Sequence, residues 1–222
     1  MTPARNRVSP RGGIVAVTGR GAWMGNRGRL HEGRGARDIV RNSRGKAWIT
    51  CVLEFRGRHS EQWAPNHYTQ LFFLDEAVAF AAGHRPCAEC RRSDYNAYRK
   101  MWHGTNSGAM HYATDMDNVL HRERAASHRM PWTALPDGVF VDTDDGPAAI
   151  VGGHLAVFDE DAYTYRRLMA KPVEGSASVL TPPSTVAVLS AGYPVQIDQS
   201  AWSLLSGRGS PSRDLIAPHG SA

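Results

Sequence analysis

Cysteine is scarce in this 222-residue chain, which has three: Cys51, Cys87 and Cys90. An odd, sparse set excludes a disulfide scaffold and points to a reducing, cytoplasmic compartment. No apolar run approaches the ~18 residues of a membrane span, so no membrane partner is expected. The first 13 residues carry three arginines and no apolar stretch, so no secretory signal is expected there. H-E-x-x-H is absent, which removes the zincin proteases by pattern. Gly-x-Ser-x-Gly is absent, which removes the serine-hydrolase elbow. The glycine-rich stretch 18–35 does not restore a nucleotide-binding reading. Gly19, Gly21 and Gly25 are spaced G-x-G-x-x-x-G, one residue too long for the dinucleotide fingerprint, and no P-loop Gly-Lys-Ser/Thr occurs.

Lysine is nearly missing from the basic end. Residues 1–60 hold 13 Lys/Arg against 3 Asp/Glu, and Lys46 is the sole lysine among them. Residues 61–100 balance at zero and residues 101–222 carry a net −5. Arginine's planar fork binds two oxygens of a phosphate or carboxylate at once. The region therefore reads as a face for DNA or RNA, with Arg20, Arg27, Arg29, Arg34, Arg37, Arg41 and Arg44 as candidate phosphate contacts. The competing reading is an arginine-rich composition whose basic half docks against the acidic one.

What is present fits an α+β fold. Apolar residues make up 41% of the chain, enough for one sizeable core or two small ones. Residues 48–55 alternate with period two, placing Ile49, Cys51, Leu53 and Phe55 on one strand face. Residues 59–63 and 68–73 are further strand candidates. Asp75 is placed to cap a short helix over 76–82 that stops at Gly83. Helices are expected over 89–102 and 115–127. Beyond Pro131 the runs 138–142, 148–151 and 154–158 read as short strands joined by hairpin turns. A last short helix starts at Pro182-Pro183 and ends at Gly192, and residues 195–197 are a further strand candidate. Residues 1–13 and 203–222 are expected to be flexible tails. The chain is read either as one α+β domain or as an α+β domain over 14–130 followed by a small β-rich region over 131–202.

The segment richest in chemistry is Phe72-Phe73-Leu74-Asp75-Glu76-Ala77-Val78-Ala79-Phe80-Ala81-Ala82-Gly83-His84-Arg85-Pro86-Cys87-Ala88-Glu89-Cys90-Arg91. A Cys-x-x-Cys on the turn after a helix places two thiolates on one side, where free backbone N–H groups stabilise them. Two such thiolates supply half of a tetrahedral Zn²⁺ site. A thioredoxin-like redox pair needs a βαβ context that is missing, so zinc is preferred.

This segment resembles the second half of the metal-binding domain of the Ada DNA-repair proteins: a Phe-Phe, a short helix ending Ala-Gly, then Arg-Pro-Cys-x-x-Cys-Arg. The resemblance covers about 20 residues and implies that Cys87 and Cys90 are zinc ligands in an Ada-like module with short helices. The rest of the chain is similar to uncharacterised bacterial proteins with the same half-motif. The family takes its other two ligands from an upstream Cys-x-x-x-Cys, one of which accepts a methyl group. Here that window holds His59 and no such pair, so methyl transfer by that route is not expected. Further ligands are sought among Cys51, His59, His31, His67 and His84, with a buried core role the competing reading for Cys51.

Two polar clusters complete the inventory. Asn26, Arg27 and His31 share the glycine-rich loop and are candidate catalytic residues. His121 and Asp117 are i, i+4 neighbours on the third helix, where a carboxylate can orient an imidazole for general-base work. Three functions stay open: a zinc protein contacting nucleic acid through its arginines, a metal-supported enzyme with a pocket around His31 and Arg27, and a protein in which zinc only holds the fold. Arginines spread over a broad face favour the first; arginines converging with histidines in a concavity favour the second. The sequence sets no oligomeric state.

Overall fold

The computed structural model describes residues 3–32, 38–57, 61–106, 112–124 and 126–207. The fold is α+β, with two six-stranded sheets and five helices among the described residues. The first sheet is built from β1 (Arg7–Val8), β2 (Ile14–Val15), β3 (Trp23–Asn26), β4 (Ile49–Cys51) and β5 (Leu71–Phe73). After α1 (Glu76–Ala81) the chain adds β6 (Arg85–Pro86), giving the order β2-β1-β5-β3-β4-β6. Helices α2 (Arg92–Thr105) and α3 (Ala113–Glu123) follow. The second sheet comprises β7 (His128–Pro131), β8 (Phe140–Thr143), β9 (Gly146–Val151), β10 (His154–Asp159), β11 (Thr164–Ala170) and β12 (Ser176–Val179). Its order is β11-β10-β9-β8-β12-β7, and α4 (Pro183–Ser190) and α5 (Gln199–Gly207) complete the described chain.

The β-rich region is the middle layer of the molecule. Along β9, Ala149 and Val151 pack into one core with Val8, Leu71, Phe73 and Ala77, while Ala148 and Ile150 pack into another with Tyr98, Trp102, Met116 and Val186. On β10 the same split separates Ala156 and Phe158 from Leu155 and Val157. Side chains alternate across a strand, so a sheet covered on both faces must be apolar at nearly every position. Both cores draw on residues from both sides of residue 131.

Several local expectations need correction. The expected tail over 1–13 contains β1, with Val8 fully buried and Arg7 in register with Phe72 of β5. Residues 203–207 belong to α5, and the remainder of that expected tail lies outside the described residues. Residues 61–63 are not strand, and neither is 195–197. That last segment instead carries Gln196, whose backbone N–H donates to Glu76. The motif segment folds as expected: the Asp75 carboxylate accepts from the Val78 N–H at 2.7 Å and starts α1. Gly83 follows α1 at φ +81°, in the left-handed region that favours glycine, and a side chain there would collide with Arg124. Gly25 has a different reason to lack a side chain. A Cβ at this point of β3 would meet the Ile49 carbonyl of β4 at 2.2 Å.

Candidate metal centre

Cys51 ends β4 and Cys87 follows β6, its parallel neighbour. The Cys87 N–H donates to the Thr50 carbonyl at 2.9 Å, which extends the ladder by one residue and sets the two cysteines side by side. The chain then turns: the Arg91 N–H returns to the Cys87 carbonyl, and Cys90 comes round to the same side. The three sulfurs all lie within 4.8 Å of one another. Three thiolates at ~2.3 Å from one Zn²⁺ in tetrahedral geometry stand about 3.8 Å apart, so the cluster is the size of a single-ion site. All three cysteines are free of disulfides. Among the described residues no histidine, carboxylate or further cysteine joins the group.

The local electrostatics favour thiolates at the Cys-x-x-Cys pair. Cys87 is lowered to about 5, chiefly by the Cys51 thiol donating to it and further by the N–H groups of Cys90 and Glu89. The Glu89 N–H lies 3.4 Å from its sulfur. Cys90 is lowered by the Cys51 thiol and by the Val52 N–H, and Cys51 is pushed up by the same contacts with Cys87 and Cys90. Buried ion pairs hold the surrounding frame. Arg85, between α1 and the turn, makes a two-pronged pair with Asp117 of α3, both bonds at 2.8 Å. Arg91 pairs with Glu76 of α1 at 2.5 Å and lies over the Trp23 ring at 3.9 Å.

The cluster opens onto a cavity of about 400 Å³. The four residues placed on one face by period two, Ile49, Cys51, Leu53 and Phe55, all line it. Met24 and Asn26 of β3 face it beside them, since the register pairs Met24 with Cys51 and Asn26 with Ile49. Asn26, Gln62, Tyr68 and Gln70 supply polar groups, while Phe72, Leu53 and Phe55 supply apolar wall. Leu53 is 55% exposed, a large apolar side chain left open at the rim.

The other candidates go elsewhere. His31 is buried, but its two ring nitrogens face Thr69 Oγ1 and the Ala64 carbonyl, so it ties two loops together and is not a ligand. His84 is also buried. It receives the Arg27 Nε–H at Nε2 and faces the Ala79 carbonyl with Nδ1, and burial followed by Arg27 and Arg124 keeps it neutral. His67 is exposed, and His59 lies outside the described residues. The expected His121–Asp117 pair does not form: Arg85 occupies both oxygens of Asp117 and His121 points to solvent. Asn26 therefore shares the cavity with the cysteines, whereas Arg27 and His31 do not.

The arginines do not act as one set. Arg27 is buried, Arg41 pairs with Glu32, and Arg29 donates to Asn66. Arg20 and Arg44 are exposed, and Arg34 and Arg37 lie outside the described residues. Among the described residues, no helix is long and apolar enough to cross a membrane. No family model, curated protein or solved structure matches the chain.

Proposed function

We propose that this is a zinc protein in which Cys51, Cys87 and Cys90 hold one Zn²⁺ whose fourth position faces the 400 Å³ cavity, where a small organic molecule binds. The observation that carries this reading is the placement of three mutually close sulfurs on the wall of a cavity. A purely structural site is closed by four protein ligands, whereas three ligands and an open position mark a working one. The donor set fits: thiolates are soft ligands suited to zinc, and the spacing is that of a single ion. The Ada-like half-motif over 72–91 supports zinc at Cys87 and Cys90, and Cys51 takes the place of the family's upstream pair. Zinc would supply Lewis acidity at the cavity wall.

The chain's own residues do the binding. Cavities of ~300–1,000 Å³ with mixed walls suit small molecules. Phe72, Leu53 and Phe55 would cover an apolar portion of the ligand. The side-chain amides of Asn26, Gln62 and Gln70 both donate and accept, so they would orient its polar groups.

Cobalt substitution tests the assignment. Co²⁺ on three thiolates should show intense sulfur-to-cobalt absorption and a tetrahedral visible spectrum. Added imidazole or a small thiol should then shift that spectrum by entering the fourth position. A spectrum without sulfur ligation, or one indifferent to every added ligand, would overturn the proposal.

A further inference from the structure

A second cavity, of about 600 Å³, lies on the reverse of the antiparallel β3–β4 pair. The same strand pleat that sends Asn26, Ile49 and Cys51 to the cysteine side sends Arg27 and Trp48 to this one. Its walls include Gly12 from the N-terminal loop and Arg124 from the end of α3. Two guanidiniums lie against one indole here. Arg27 is 3.8 Å and Arg124 4.1 Å from the Trp48 ring centroid. Arg27 is 1% exposed, and no carboxylate among the described residues pairs with either cation.

The hydrogen bonds show what is missing. Arg27 donates through Nε to His84 and through Nη1 to the Gly12 carbonyl, but its buried Nη2 has no partner among the described residues. The Trp48 indole N–H is likewise buried and has no partner among the described residues. Both orphans are donors. Arg124 spends its hydrogen bonds on the carbonyls of Gly83 and Lys46; Asp117 and Glu123 lie near enough to favour its charge, but neither forms an ion pair with it among the described residues. The two carboxylates on the cavity wall are engaged elsewhere: Glu123 accepts from the backbone and hydroxyl of Ser184, and Asp142 pairs with Arg11. Buried cations and donors are costly unless paired. Burial and the neighbouring Arg124 lower Arg27 to about 9.

We propose that this cavity binds a phosphoryl-type dianion, with Arg27 and Arg124 supplying the two positive charges and the Trp48 indole N–H a further donor. The site does not depend on the metal reading, since it shares no wall residue with the cysteine cavity.

Inorganic phosphate titrated into the full chain, against chloride at equal ionic strength, tests the proposal. Saturable change in tryptophan fluorescence and a raised Tm are expected. Arg27→Gln should weaken phosphate binding about tenfold or more, the scale of losing a hydrogen bond to a charged group. If that variant does not fold, Asn42→Glu on the exposed rim should produce the same loss by setting a carboxylate at the mouth. A phosphomonoester that competes where a short DNA duplex does not identifies a small-molecule source; competition by the duplex identifies a strand phosphate. Phosphate that behaves as chloride does, or unchanged affinity in the variants that fold, would overturn the proposal.

Discussion

The two sides of the antiparallel β3–β4 pair carry opposite chemistry. One side gathers three thiols within reach of a single ion, and the other gathers two guanidiniums against one indole. Only two residues lie between Trp48 and Cys51, yet the pleat turns them into different cavities. The cysteine side is tied to the fold through backbone ladders, because Cys87 continues β6 and bonds Thr50. The arginine side is assembled from side chains whose backbones are far apart in sequence. Loss of the ligand should therefore lower stability more on the first side than on the second.

The largest expected effect is at the thiols. The three cysteines come from two separate segments, so an ion held by them is bound by the folded chain and not by the unfolded one, and its binding is coupled to folding. Cys87→Ser should lower zinc content and Tm together, and a chelator should do the same to the unaltered chain while leaving Cys87→Ser unmoved. Next comes the frame between the two sides. Arg91→Leu leaves Glu76 buried without its cation, which costs about 3–5 kcal/mol, measurable by urea unfolding.

A smaller effect depends on pH. Burial raises the Asp75 carboxyl to about 6 from an ordinary 3.8, against the hydrogen bonds from Val78, Asp198 and Tyr165. The folded chain then holds this proton more tightly than the unfolded chain. Asp75 favours the fold fully below pH 4, and this contribution is lost as pH rises from about 4 to 6, by at most roughly 3 kcal/mol. Asp75→Asn should remove that part of the slope in a series of unfolding titrations. Smallest of all is Arg27→Met. Removing a buried cation without a counter-charge should leave stability within about 1 kcal/mol of the original, or raise it. A collapse of Tm in this variant would break the contrast between the two sides.

The sequence made the cysteine side far more legible than the arginine side. Asp75, Gly83 and the Cys-x-x-Cys lie within one short segment, where capping and turn chemistry are local signals. Period two also placed Ile49, Cys51, Leu53 and Phe55 on a common face, although that face lines a cavity and not a core. Arg27, His84 and Arg124 meet from three distant segments, and no spacing rule links such positions. Asp117 read as a partner for His121 because i, i+4 geometry is local, but the buried Arg85 arrives from outside the helix and wins both oxygens. Strand β11 escaped because its register with β10 shifts between Val157 and Phe158, which breaks the alternation that marks a strand. The nucleic-acid reading drew on the half-motif and on the charge of residues 1–60, and a charge count cannot separate the buried Arg27 or the ion-paired Arg41 from the exposed Arg20 and Arg44.

Native mass spectrometry of the chain purified without chelator tests the central claim most directly. One zinc per chain is expected, retained in Arg27→Met and absent from both Cys51→Ser and Cys87→Ser. A folded chain that carries no metal, or a Cys51→Ser variant that keeps its full zinc content, would contradict the three-thiolate centre.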